Sequence, residues 1–171
     1  MHASHLISIS RVEKLQEVDV FLSNARALMF GVRFAGQEAP ADIQNFERVY
    51  GGAEGKMWSA VHRQQGVVGS IAYRKYDGRF AQLDFGEQSV VEIVRLFVAP
   101  AWRRHGLAME LFSTLRAQVK AEGVQVLYLH THPFLSGAQE FWLRNGFQVL
   151  EREVEPVWQT IHMQSVLSRE P

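Results

Sequence analysis

Hydrophobic and polar residues alternate in several short stretches of the chain, and this alternation predicts β-strands. The stretch HLISISRV at residues 5–12 alternates in this way. Residues 56–64 and 66–76 are predicted to form two strands joined around Gln65 and Gly66, as a hairpin. The β-branched run VVEIVRLFV at residues 90–98 stops before Pro100, as a strand should. Three more strands are predicted, at residues 124–131, 147–154 and 158–167.

Helical spacing of apolar residues predicts helices at residues 17–30, 40–50, 104–122 and 136–145. The first is predicted to bury one face, made of Val18, Phe21, Leu22, Ala25, Leu28 and Met29. The longest repeats a large apolar residue every fourth position, at Leu107, Leu111, Leu115 and Val119. The element order is then β-α-α-β-β-β-α-β-α-β-β, which predicts an α+β fold with a mixed sheet, in one domain spanning residues 1–171.

Charge and composition exclude several classes of function. Lys plus Arg and Asp plus Glu number 18 each, so the chain lacks the basic excess of a general nucleic-acid binder. It has no cysteine, which rules out disulfides, thiolate metal sites and a cysteine nucleophile. The N-terminal stretch MHASHLISIS does not have the pattern of a signal peptide, and the apolar run LFVAPAW is too short for a membrane span. We therefore expect a cytoplasmic protein.

The segment VAPAWRRHGLAMELF at residues 98–112 places Arg103, Arg104 and His105 at the predicted start of a helix. This is the positive end of the helix dipole, and no Ser, Thr, Asp or Asn is present to cap it. An uncapped helix start leaves up to four backbone N–H groups without partners. With Gly106 permitting close approach, these groups would suit a phosphate or pyrophosphate. The alternative is an ordinary turn whose arginines point into water.

The hexapeptide Arg103–Ala108 resembles the acyl-CoA signature Q/R-x-x-G-x-G/A of the GNAT superfamily of N-acetyltransferases. It follows the strand EIVRLFVAP, which is similar to the central strand of that family. The segment AQEFWLRNGF at residues 138–147 is similar to the family's A-x-x-L-Y-x-x-x-G-F segment. The resemblance covers residues 90–150 and implies a mixed, splayed sheet flanked by helices in a three-layer α/β arrangement.

The resemblance also implies a site for acetyl-CoA as co-substrate, with no metal. The pantetheine arm would lie along Leu96, Phe97 and Val98, and the Val98 backbone N–H would polarise the thioester carbonyl. Such an oxyanion donor is worth about 2.7–4 kcal/mol in other enzymes. The amides of residues 104–108 would hold the pyrophosphate. The cofactor-binding residues implied by this loop are Arg103, Arg104, His105, Gly106, Leu107 and Ala108.

The acceptor amine must be neutral when it attacks the thioester. A lysine-like amine with a pKa of about 10.4 is neutral roughly once in 2,500 at pH 7, a penalty near 4.6 kcal/mol, so a base, acting directly or through water, matters most for alkylamines. Glu92, on the central strand, is the candidate base. The alternative for Glu92 is a structural carboxylate, solvated or paired with a basic side chain such as Arg95.

Three further positions carry candidate chemistry. His130 and His132 lie at the end of one strand on one face, as base, substrate contact or local hydrogen-bonders, and a third metal ligand is not obvious. Trp142 occupies the position where the family often has a tyrosine that acts as general acid. An indole cannot serve as that acid, so we expect Trp142 to pack on the cofactor arm or in the core. Ser136 and Tyr128 are weak substitutes for the acid.

The leading hypothesis is an acetyl-CoA-dependent N-acetyltransferase whose acceptor is a primary amine of a small molecule, a peptide or a protein. The second hypothesis is a non-catalytic acyl-CoA-binding regulator, which the missing tyrosine favours. A third, a toxin that acylates charged tRNA, is disfavoured by the zero net charge. Nucleic acid and membrane are not expected partners, and the sequence allows a homodimer.

Overall fold

A computed structural model describes residues 6–34 and 36–168 of the chain. Its described strands are β1 (Ile7–Arg11), β2 (Gly55–His62), β3 (Gly66–Lys75), β4 (Val90–Val98), β5 (Val126–Thr131), β6 (Gln148–Arg152) and β7 (Ile161–Val166). Its described α-helices are α1 (Asp19–Phe30), α2 (Ala41–Gln44), α3 (Phe46–Tyr50), α4 (Leu107–Ala121) and α5 (Ala138–Arg144). Three short 3-10 turns span Leu15–Glu17, Gly31–Phe34 and Pro100–Trp102.

The chain divides into two compact units. The first unit consists of residues 1–74 and 94–118, and the second of residues 75–93 and 119–171. In the first unit β1, β2 and β3 form an antiparallel meander, with Ile9 opposite Ala60 and Trp58 opposite Ile71. One apolar cluster of this unit is lined by Val12, Val18, Leu22, Phe46, Tyr50, Met57 and Ala72. Burial of this apolar surface is the main force that holds α1 and α3 in place.

In the second unit the start of β4 pairs in parallel with β5, from Val90 opposite Val126 to Glu92 opposite Tyr128. Strand β7 runs antiparallel to both β5 and β6. The order of the described strands is β1-β2-β3-β4-β5-β7-β6, so the α+β fold with a mixed seven-stranded sheet is confirmed. The β4–β5 register runs from Val90 to Glu92, and β4 continues to Val98.

Most predicted elements are confirmed, but several of their boundaries differ from those that the residue pattern predicts. The strand predicted from residue 5 begins at Ile7, and its first predicted residue lies outside the described residues. The helix predicted at residues 40–50 is two helices, because Asn45 leaves the helical region at φ −114° and ψ 35°. In α1, Leu28 was predicted to be buried but is 66% exposed.

The helix predicted from residue 104 begins instead at Leu107. Arg104 and Gly106 adopt φ values of 63° and 77°, which a right-handed helix does not allow. The three cationic residues therefore precede the helix rather than occupy its first turn. From Leu107 onward the predicted face is confirmed, because Leu107, Leu111 and Leu115 are all buried.

Candidate functional site

The turn at residues 103–106 joins the end of β4 to α4 in the first unit. A 3-10 turn, Pro100–Trp102, comes first, with the Trp102 amide donating to the Ala99 carbonyl at 2.8 Å. The Arg103 Nε donates to the Val98 carbonyl at 2.9 Å, and its guanidinium lies 5.3 Å from the centre of the Phe97 ring. Arg103 is thus tied to the strand that precedes it.

The backbone of this turn has an unusual conformation and precedes the hydrogen bonds of α4. Arg104 and Gly106 both have positive φ values, of 63° and 77°. The Glu110 amide bonds the Gly106 carbonyl at 3.1 Å, so the amides of Leu107 to Met109 precede the helical hydrogen-bond ladder. A Cβ built on Gly106 would meet no atom within 4 Å. The turn is exposed and open.

The last residues of β4 lie directly before this turn. Phe97 and Val98 are buried, and Leu96 is half-buried. The Phe97 ring packs against Phe21 of α1 with centroids 5.7 Å apart. The Ala99 amide donates to the Val68 carbonyl of β3 at 2.9 Å, which anchors the end of the strand. These contacts hold the end of β4 against β3 and α1.

Glu92 occupies a charged cluster in the second unit. Its side chain has no exposed surface, and its two carboxylate oxygens accept hydrogen bonds from Arg79 at 2.9 and 2.6 Å. Arg79 also bonds Asp77 at 3.0 Å. The Glu92 hydrogen bonds raise the pKa of the Arg79 guanidinium above its ordinary value, against the effect of burial. The basic partner named in the sequence analysis, Arg95, belongs to a different cluster.

That second cluster was missed by sequence reasoning and lies in the first unit. Arg95 donates to Asp42 through Nε at 3.1 Å and Nη2 at 2.6 Å, and the Tyr50 hydroxyl donates to Asp42 at 2.6 Å. Burial raises the pKa of Asp42, but the charge and hydrogen bonds of Arg95 outweigh it and hold that pKa below its usual range. Arg95 itself has a φ of 61° in the middle of β4, and its carbonyl accepts a bond from Ser70 Oγ at 2.7 Å.

The two predicted histidines share one face at the end of β5, with ring centroids 5.8 Å apart. His130 Nδ1 lies 3.3 Å from Glu92 Oε1, without hydrogen-bond alignment. His132 is buried, and its Nδ1 lies 3.0 Å from the Trp158 carbonyl. Within residues 6–34 and 36–168, no group of three His, Asp or Glu side chains is arranged to hold a metal ion.

Trp142 lies on α5 and is 6% exposed. Its ring contacts Phe141 and Phe147 edge-on, with centroids 4.9 and 5.0 Å away. The expected packing role of this residue therefore has a defined partner set in the second unit. Of the two weak substitutes for the acid, Ser136 is exposed, while Tyr128 is fully buried with its hydroxyl 2.6 Å from His162 Nδ1. Burial raises the pKa of Tyr128, and the Glu92 charge adds to this.

Arg79 is the other residue that sequence reasoning missed. It lies in the polar stretch between β3 and β4, where no periodicity relates it to Glu92. An arginine next to Asp77 and Gly78 carries no signal beyond that of a solvated loop.

No helix in the described part of the chain has the length and apolar character to cross a bilayer.

Comparison with known proteins adds an independent finding. The model of the acetyltransferase (GNAT) family matches residues 26–147. No curated protein sequence matches the chain significantly. Among solved structures, the chain is similar to an acetyltransferase of the GNAT family from Staphylococcus aureus Mu50. The TM-score is 0.75 at 20% identity, over 95% of this chain and 99% of that one.

Two further solved structures share the fold at similarly low sequence identity. An acetyltransferase from Streptococcus agalactiae 2603 has a TM-score of 0.73 at 19% identity, over 95% of this chain and 99% of that one. The PaiA N-acetyltransferase from Thermoplasma acidophilum, solved in complex with coenzyme A, has a TM-score of 0.65 at 15% identity. That alignment covers 94% of this chain and 99% of the other. Identities this low relate the folds alone.

Proposed function

Because the chain belongs to the GNAT family of acetyltransferases, we propose that it transfers the acetyl group of acetyl-CoA to a primary amine by direct attack. The family match supports acyl transfer from an acyl-CoA. The similar PaiA protein is described as an N-acetyltransferase and was solved with coenzyme A, which supports both the cofactor and an amine acceptor. The acceptor is a small molecule, a peptide or a protein amine.

The observation that carries the proposal is the turn at residues 103–106. Its two left-handed residues, the open space at Gly106 and the leading amides of α4 together suit a pyrophosphate. Arg104 and His105 are exposed beside it and add positive charge to the backbone donors when His105 is protonated. In the proposal the amides of residues 104–108 hold the pyrophosphate, and Arg103 braces the turn against Val98.

The remaining roles follow the strand. We assign the pantetheine arm to Leu96, Phe97 and Val98, with the Val98 N–H as donor to the thioester oxygen as negative charge develops there. Trp142 is proposed as a packing residue, in contact with Phe141 and Phe147. Glu92 is kept as the candidate that assists deprotonation of the acceptor, although its carboxylate is buried and paired with Arg79.

Cofactor binding is tested by thermal unfolding with acetyl-CoA. At 100 times its dissociation constant a ligand adds about 2.7 kcal/mol, or roughly 5–10 °C for a chain of this length. Gly106→Glu brings bulk and negative charge to the turn and should abolish the shift. Gly123→Glu is the matched control, because Gly123 has a φ of 76° and equally open surroundings. A Gly106→Glu protein that still shifts fully would overturn the assignment of this turn.

Activity is tested by release of free CoA thiol from acetyl-CoA in the presence of a panel of primary amines. Thiol release with at least one amine, together with an acetylated product by mass spectrometry, supports the transferase. A chain that binds acetyl-CoA but releases no thiol with any amine would instead be an acyl-CoA-binding regulator. Trp142 supports this second function, because it occupies the position of the family's general acid and cannot protonate a leaving thiolate.

A further inference from the structure

Arg95 has a backbone conformation that a residue with a side chain rarely adopts. Its φ is 61°, in the middle of β4. In this left-handed region the Cβ of an L-residue crowds the following carbonyl oxygen, so glycine occupies the region far more readily than arginine does. Residues strained in this way persist only where the surrounding structure fixes them, and they cluster at functional sites. Contacts of Arg95 with its neighbours must therefore hold it in place.

Strand β4 departs from regular pairing with β3 at this residue. Ser70 of β3 donates through its Oγ to the Arg95 carbonyl at 2.7 Å. Further along, the Ala99 amide donates to the Val68 carbonyl of β3 at 2.9 Å. Between these contacts β3 advances by two residues, from 70 to 68, while the chain of β4 advances by four, from 95 to 99. Extra residues in one strand form a β-bulge, which bends that strand and re-aims the residues beside it. Residues 96–98, to which the pantetheine arm is assigned, lie within this bulge.

The side chain of Arg95 is fixed by Asp42 of α2. Asp42 accepts from Arg95 Nε at 3.1 Å and from Nη2 at 2.6 Å, and this two-point contact sets the direction of the guanidinium as well as its position. The Tyr50 hydroxyl donates to Asp42 Oδ2 at 2.6 Å and fixes the carboxylate in turn. The side chains of Arg95 and Asp42 are only 18% and 4% exposed, so water competes little for these contacts.

Net stability does not explain why this ion pair lies in the interior. A buried pair loses the hydration of both charges, and well-packed apolar side chains of similar volume often stabilise a fold as well or better. The pair provides direction, which apolar side chains do not, because each of its hydrogen bonds requires one orientation of the guanidinium. The two bonds to Asp42 therefore restrain the side chain of Arg95, and with it the strained backbone from which that side chain projects.

We propose that Asp42 and Arg95 are positioning residues of the transferase, which hold the β4 bulge in the conformation that directs the Val98 N–H at the thioester oxygen. This inference rests on the proposed function. In this role neither side chain contacts the acetyl group or transfers a proton. Their effect is on alignment, and a misplacement of about 1 Å caused by a change far from the chemistry can lower a rate about a hundredfold. Asp42, Arg95 and Val98 all belong to the first unit.

The test compares two double variants that both lack the ion pair. Each carries Asp42→Asn, whose amide oxygen can still accept from Tyr50, and this change leaves no unpaired carboxylate. One adds Arg95→Ala and the other adds Arg95→Gly. Glycine adopts a positive φ without strain and alanine does not, so the two proteins differ chiefly in their access to the bulged conformation. With the best amine of the thiol-release panel, kcat should fall about a hundredfold in the alanine variant and less than about tenfold in the glycine variant.

Binding of CoA, which has no thioester carbonyl, separates alignment from general damage to the fold. Its dissociation constant should stay within about threefold of the unmodified value in both variants, because the pyrophosphate is assigned to the turn that Arg103 anchors. If the alanine variant melts below the assay temperature, Asp42→Asn is measured with and without Arg95→Gly. Adding the glycine should then raise kcat, although it removes a second residue of the pair.

The possible outcomes are distinct. Equal kcat in the two double variants, whether normal or reduced, would overturn the inference and leave the transferase intact. A loss of kcat in the alanine variant that is matched by an equal loss of CoA affinity would also overturn it, and so would a glycine that fails to raise kcat in the Asp42→Asn protein. Absence of thiol release by the unmodified protein with any amine would overturn the proposed function, and the inference with it.

Discussion

Replacing Asp42 by Asn tests the buried ion pair of the first unit. The substitution keeps the size of the side chain and removes its charge, so Arg95, whose side chain is only 18% exposed, loses its counterion. Removing one partner of a buried pair costs about 3–5 kcal/mol. The residual exposure of Arg95 lowers this cost. The nearby positive charge of Arg74 raises it, because Asp42 no longer balances that charge. We expect a loss of about 3 kcal/mol in the free energy of unfolding.

Urea unfolding at pH 7 measures this loss, with Tyr50→Phe as the matched variant. That variant removes only the hydroxyl bond to Asp42 and keeps the ion pair, so it should cost about 1.5 kcal/mol. In melting temperature, 3 kcal/mol corresponds to roughly 6–12 °C for a chain of this length. If Tyr50→Phe costs as much as Asp42→Asn, the hydroxyl and not the ion pair is the dominant contact.

The dependence on pH supplies a second check, and its sign follows from the lowered pKa of Asp42. The unfolded carboxyl binds protons below its ordinary value of about 3.9, before the folded one does. The contribution of Asp42 is therefore fully present above that value and is lost as the pH falls below it. The difference in the free energy of unfolding between the unmodified protein and Asp42→Asn should therefore shrink as the pH falls below that value. A difference below 0.5 kcal/mol at pH 7, or one that ignores pH, would refute the reasoning.

The other predictions concern packing. Trp142→Phe should change turnover less than tenfold and raise the KM for acetyl-CoA, whereas Trp142→Ala should cost about 3–5 kcal/mol of stability by leaving a void. A well-folded Trp142→Phe protein with normal cofactor binding and a hundredfold loss of turnover would contradict this. Gly55→Ala should cost at least about 1–3 kcal/mol in urea unfolding, because its Cβ would lie 2.1 Å from the Val49 carbonyl oxygen. Gly52→Ala, with its nearest atom at 3.9 Å, should cost under 1 kcal/mol, and equal losses would refute the clash.

Elements whose signal is local could be predicted from the sequence. The run at residues 90–98 became β4 with the same bounds, because β-branched residues and a following proline leave few alternatives. The apolar residue at every fourth position from Leu107 identified the buried face of α4, because these positions share one side of a helix. The start of that helix was misplaced, because the left-handed conformation of Arg104 leaves no mark in the residue types.

Pairings between distant residues could not be predicted. Asp42 and Arg95 are 53 positions apart, and Arg79 reaches Glu92 across 13 positions of loop and strand. A strand pattern indicates which face a charged residue lies on, but its partner depends on how separate segments meet. The sequence therefore pointed to Glu92 as a charge of interest and named the wrong arginine beside it. His130 was weighed as a base from its position, and its contact with Glu92 became visible only in three dimensions.

The indole of Trp102 gives the chain a built-in optical reporter. It lies immediately before Arg103 and is half-buried. Its ring is tilted against that of His62, with centroids 4.7 Å apart, and its Nε1 donates to Gln65 at 3.1 Å. A half-buried indole emits at a wavelength set by its local polarity, so binding of an anion at the adjacent turn should change its fluorescence. The buried Trp58 and Trp142 would respond mainly to unfolding. Because Trp158 is also half-buried, occupancy of the turn and integrity of the fold are best followed separately in a Trp158→Phe background.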